Sequence, residues 1–98
     1  MSRPLYVAPS TNAWGADELG LATLRFSEPA QFVTIEARAV PGSTGTMSVI
    51  GASGEVVLQA ELNQNQFETF NVGGLITAIE LENTGGDAVI IGAVAAVR

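Results

Sequence analysis

The sequence predicts an all-β protein: an antiparallel β-sandwich of about seven short strands, preceded by an extended N-terminal arm. Three observations carry that expectation. Apolar and polar residues alternate with a period of two through most of the chain. Glycine-rich turns separate the alternating stretches at regular spacing. No helical period is sustained, and no repeat of about 20–50 residues is visible.

Ninety-eight residues hold one hydrophobic core and so one domain. Apolar residues make up 47% of the chain and charged residues 14%. That is too apolar for intrinsic disorder, and too few charges for a surface that faces only water.

Residues 1–16 read as the arm and residues 17–98 as the sandwich domain. Pro4 and Pro9 bracket Leu5-Tyr6-Val7-Ala8 and keep that stretch extended. Ser10-Thr11-Asn12-Ala13-Trp14-Gly15 then reads as a loop. The first strand is expected over residues 19–27, with Ala22, Leu24 and Phe26 on one face. A short helix opened by Asp17 is the alternative there, which Gly20 disfavours. Glu28-Pro29 ends the strand.

Residues 32–40 give the clearest alternation. Val33, Ile35, Ala37 and Ala39 share one face, and Thr34, Glu36 and Arg38 the other, the mark of a half-buried antiparallel strand. Pro41-Gly42-Ser43-Thr44-Gly45 is a turn. Residues 46–50 and 55–62 form a hairpin around Gly51-Ala52-Ser53-Gly54. Asn63-Gln64-Asn65-Gln66 is a polar connection. A strand over 67–72 closes at Gly73-Gly74, and another over 75–83 follows. Thr84-Gly85-Gly86-Asp87 is a tight turn into the last strand, residues 88–97.

That last strand is the anomaly. Ala88-Val89-Ile90-Ile91-Gly92-Ala93-Val94-Ala95-Ala96-Val97 contains no polar side chain. Strict alternation sets Val89, Ile91, Ala93, Ala95 and Val97 on one side, with Ile90 and Val94, beside Ala88 and Ala96, on the other. A strand in a two-layer sandwich has one face in the core. The second face therefore calls for a cover: the chain's own arm, a second copy, or another protein. A second reading leaves this face partly exposed, because Ala and Gly make it barely hydrophobic. The candidate interface residues are Leu5, Tyr6, Val7 and Trp14 from the arm, with Ile90 and Val94 from this strand.

The residue inventory is poor in chemistry. There are four Arg, no Lys, no His and no Cys, against ten acidic residues, for a net charge of −6. Nucleic acid needs a basic patch and is not an expected partner. Anionic membrane surfaces are disfavoured by the same charge, and no apolar run approaches the roughly 20 residues of a membrane-spanning helix. Disulfides and thiolate metal sites are excluded. Without His, Cys or Lys, no general base or nucleophile of the common kinds exists. Glu80 with Glu82, or Glu36 beside Arg38, could form a carboxylate pair, but period-two spacing places such residues on a solvated strand face as a matter of course. Asp87, or Asp17 with Glu18, could contribute to a calcium site, but no ligand-dense loop accompanies them. The expectation is no enzyme, no cofactor and no metal.

Three stretches carry a resemblance: Phe26-Ser27-Glu28-Pro29-Ala30-Gln31-Phe32-Val33, Ile50-Gly51-Ala52-Ser53-Gly54-Glu55-Val56-Val57, and Ile79-Glu80-Leu81-Glu82-Asn83-Thr84-Gly85-Gly86-Asp87. Their rhythm resembles small jelly-roll-like sandwiches of the carbohydrate-binding-module type. The same architecture is similar to that of phage head-decoration proteins, which are short, lack cysteine and often use an extended terminal arm. The second resemblance implies a virion structural protein, assembled in the host cytoplasm, that self-associates and clamps a capsid-type protein lattice through its arm. The first implies a carbohydrate-binding module using Trp14 and the polar loops. Where members of that type often carry an acidic ligand in the last strand, this sequence has Gly92.

Overall fold

The computed structural model describes residues 15–17, 21–86 and 88–97. Every element in them is a strand: β1 (Gly15–Asp17), β2 (Leu21–Ala39), β3 (Thr44–Gly51), β4 (Val56–Glu61), β5 (Glu68–Gly85) and β6 (Ala88–Val97). All pairings are antiparallel, in the order β1-β6-β2-β5-β3-β4.

Two strands are much longer than expected, so the count is six among the described residues rather than about seven. The expected strands 19–27 and 32–40 are joined in β2, and 67–72 and 75–83 are joined in β5. Glu28-Pro29 on β2 and Gly74-Leu75 on β5 interrupt pairing without ending the strand. The β2–β5 register shifts between Arg25 and Ala30, and again between Ala30 and Phe32. A proline has no N–H to give a ladder, so it is tolerated where a bulge leaves it unpaired. On β5, Gly74 takes φ +108°, which only glycine adopts at ease, and the strand bends there rather than stopping.

These bends let one ribbon serve two layers. One layer holds β1, β6, residues 32–39 of β2 and residues 68–73 of β5. The other holds residues 21–25 of β2, residues 76–85 of β5, β3 and β4. The layers face each other across the core, with Val89 of β6 lying against Gly45 of β3. The result is an antiparallel β-sandwich, jelly-roll-like in that its two longest strands pass through both sheets.

The core follows alternation within each unbulged stretch, with β5 changing face between Ile76 and Ile79 where its register shifts. Val33, Ile35, Ala37 and Ala39 of β2 meet Met47 and Val49 of β3, Ile76, Ile79 and Leu81 of β5, and Val89 and Ile91 of β6, all fully buried. Each large aliphatic among them contributes about 1.5–3 kcal/mol. Two polar side chains, Ser43 and Asn83, are buried as well. Asn83 closes the end of β5: its Oδ1 accepts the Gly85 N–H at 2.9 Å and its Nδ2 donates to the Gly86 carbonyl at 3.1 Å. Among the described residues no buried side-chain nitrogen or oxygen lacks a partner.

Candidate interaction surface

The last strand resolves its own anomaly by a bulge. Against β2, Ile91 pairs with Ala37 but Ala93 pairs with Glu36, so Gly92 is an extra, unpaired residue. One extra residue inverts the facing of everything beyond it. Val89 and Ile91 face the core before the bulge. Val94, opposite Ile35, and Ala96, opposite Val33, face it afterwards. The expectation that Val94 shares a second face with Ile90 is therefore corrected: Val94 is 1% exposed and sits between the layers. A side chain so placed is not available to a partner. Ile90, opposite Arg38, is half-buried on the outer face. Leu5, Tyr6, Val7 and Trp14 lie outside the described residues. The chain enters the described fold at Gly15, paired with Ile90.

The outer face of this layer can be assembled from the register, since directly opposed residues share a face. On β6 it carries Ile90, Ala93, Ala95 and Val97; on β2, Phe32, Thr34, Glu36 and Arg38; on β5, Thr69 and Asn71. Its middle is polar, with the Thr34 hydroxyl donating to Asn71 Oδ1 at 2.9 Å. One end is apolar. Phe32 and Val97 stand opposite each other, 41% and 42% exposed.

The other end is covered by the chain itself. The Phe67 ring lies on Gly92, where a Cβ would stand 2.8 Å from its nearest carbon. The Arg38 guanidinium sits over the same ring, 5.6 Å from its centroid, a cation–π arrangement. Arg38 is held there by Nε donating to the Ala39 carbonyl and Nη2 to the Gln64 carbonyl, both at 3.3 Å. Part of the second face is thus covered by the connection between β4 and β5, which is none of the three covers expected from the sequence.

That connection is braced inward. The Asn63 carbonyl accepts the Ala39 N–H at 2.9 Å, Asn63 Oδ1 accepts the Asn65 N–H at 2.7 Å, and Gln64 Oε1 accepts the Gly42 N–H at 3.4 Å. The Asn63 and Gln64 side-chain oxygens that the sequence offered for a sugar are thus engaged in holding the loop.

The opposite layer is acidic on its outer face. Thr46 stands between Glu61 and Glu82, and Ser48 between Gln59 and Glu80. Among the described residues no three of His, Cys, Asp and Glu converge on a point that could hold a metal ion. Asp87 and Glu18 lie outside the described residues.

Sequence reasoning passed over Phe32 and Phe67, and set Ala93, Ala95 and Val97 on the side of Val89 and Ile91, which the bulge corrects. Phe32 was legible, because alternation places it with Thr34, Glu36 and Arg38. Val97 needed the bulge at Gly92, and Phe67 needed the tertiary fold.

No protein-family model matches the chain, and neither does any curated protein. Among solved structures, a family 6 carbohydrate-binding module whose binding sub-sites were dissected by X-ray crystallography and isothermal titration calorimetry is similar at a TM-score of 0.45 and 12% identity, over 100% of this chain and 84% of that chain.

Proposed function

We propose that the chain is a non-catalytic structural subunit of a larger protein assembly, a capsid decoration or cement protein of a virion. The observation that carries this reading is the apolar end of the outer face: Phe32 and Val97 side by side across β2 and β6, on a surface with few charges. Contiguous exposed apolar side chains on a rigid sheet fit a protein partner better than water. The net charge of −6 favours a partner with basic groups around its contact. The arm residues Leu5, Tyr6, Val7 and Trp14 belong to the proposal as the segment that would reach along the shell.

The test is cosedimentation. The chain, tagged and expressed in the cell that encodes it, is expected to travel with megadalton particles in a density gradient. The double variant Phe32→Ser/Val97→Ser should reduce the particle-bound fraction by about ten-fold or more, an interface aromatic being worth about 2 kcal/mol at a contact centre. A chain that stays with the soluble protein at the top of the gradient overturns the reading.

A second reading, carbohydrate binding, is favoured by one specific arrangement. The polar row Thr34, Asn71, Glu36 and Thr69 runs from the exposed Phe32 toward the connection that carries Phe67. Hydroxyls, an amide and a carboxylate beside one exposed aromatic ring suit a sugar chain. A broad glycan array probed with the parent chain, with Phe67→Ala and with Trp14→Ala decides it: this reading expects hits that at least one variant loses, and an array without hits ends it.

A further inference from the structure

Among the described residues, the beginning of β2 is an open sheet edge. Residues 21–25 pair with residues 78–82 of β5 on one side, and among the described residues no strand lies on the other. Such an edge presents a row of unpaired N–H and C=O groups. Its one protective feature within residues 21–25 is the charge of Arg25. Residues 21–25 run one to one against β5 with no bulge, and they contain no Pro and no Lys. Its inward side chains, Ala22 and Leu24, with Phe26 beyond them, pack on the core but remain half-buried. Among the described residues nothing covers this margin of the sandwich. Leu21, on the outward side, is 66% exposed.

We propose that this edge pairs with the same edge of a second copy, about a two-fold axis through Thr23, so that one sheet continues across two chains. Antiparallel partners share a face, so a register centred on Thr23 joins inner face to inner face. Ala22 then stands opposite the second copy's Leu24, and Leu21 opposite its Arg25. The half-buried Ala22, Leu24 and Phe26 of both copies gain cover. No like charges are opposed. Glu82 flanks Leu21 on the β5 side. The second copy's Arg25 therefore stands two strand spacings from Glu82, about 9.6 Å, and its long side chain can reach across Leu21 toward that carboxylate. The axis makes this pair twice. The edge at β4 is less suited, because its register with β3 is broken by a bulge between Leu58 and Val56.

This inference deepens the assembly reading by naming a partner, and its test is separable from the cosedimentation above. Sedimentation velocity and light scattering over a concentration series should show a dimer of the parent chain. Arg25→Glu should weaken dimerisation by about ten-fold, as should Glu82→Arg, since each sets like charges together at two symmetric places. The double variant Arg25→Glu/Glu82→Arg should restore it. Both positions are exposed, so far-ultraviolet circular dichroism is expected to be unchanged; Arg25→Gln serves if the charge reversal disturbs the fold. A chain that stays monomeric at every concentration, a dimer indifferent to Arg25→Glu and Arg25→Gln, or a charge swap without rescue overturns the inference. A monomer that still enters the particles overturns it alone, and a dimer that does not enter them overturns the assembly reading alone.

Discussion

Replacing Gly45 with alanine is expected to cost more than about 3 kcal/mol, at or beyond the top of the range for overpacking a core. Gly45 lies on β3 with its missing side chain aimed at the opposite layer. A Cβ there would stand 2.3 Å from Val89 Cγ1 and 2.6 Å from the Glu82 carbonyl oxygen. The first contact is with a side chain locked in the core, and the second is with the backbone of the neighbouring strand. Neither can retreat without moving a whole layer. Against a total stability of about 5–15 kcal/mol, such a loss leaves little margin. For a domain of this size it should lower the melting temperature by about 12 °C or more. Adding Val89→Ala removes the shorter contact but not the carbonyl, and should recover only part. Gly54→Ala provides the contrast: Gly54 has φ +86° and nothing within 4 Å of an added Cβ, so strain is its only cost, of about 1 kcal/mol. Thermal denaturation followed by circular dichroism reads all three. A Gly45→Ala protein that melts within about 2 °C of the parent would mean that the two layers are not in contact at this point.

Much of this architecture was legible in the sequence, and what was not has a common cause. Alternation gave the inward face of residues 33–39, because a side chain's facing depends only on its place in an extended chain. It could not reveal where two extended stretches are continuous. Glu28-Pro29 and Gly73-Gly74 look like ends, and whether such a break ends a strand or bends it depends on what pairs with the residues on either side. The same holds for Gly92. A glycine inside an apolar run marks either a weakened strand or a bulge, and only the partner residues Glu36 and Ala37 tell which. The candidate interface inherited that ambiguity. Ile90 was placed on the outer face by the part of the strand before the bulge. Val94 was misplaced by the part after it. The covering of Gly92 by Phe67 joins residues 25 positions apart through a loop whose path is set by backbone hydrogen bonds, and no local pattern encodes it.

The bulge can be put to a direct test, because it exchanges the roles of two adjacent residues. Val94→Asp is expected to unfold the protein, whereas Ala95→Asp should leave it folded. Val94 faces Ile35 between the layers and Ala95 faces Thr34 on the outside. A carboxylate at position 94 would lie among Ile35, Ile91 and their neighbours with no cation to pair with; the effective penalty for one buried ion is several kcal/mol. Protonation would lessen the charge but leave polar groups unsatisfied in the core, at about 1–3 kcal/mol. Either cost is a large part of the total stability, and the first exceeds the margin of a typical small domain. At position 95 the same carboxylate projects beside a threonine on the outer face, where water reaches it, and a change within about 1 kcal/mol is expected. Uninterrupted alternation from Val89 makes the opposite forecast, since it would set Ala95 in the core and Val94 outside. Urea denaturation of the two variants separates the alternatives. If Ala95→Asp unfolds and Val94→Asp does not, the strand has no bulge at Gly92, its outer face is the one that strict alternation draws, and the pairing of Phe32 with Val97 on which the proposed docking surface rests goes with it.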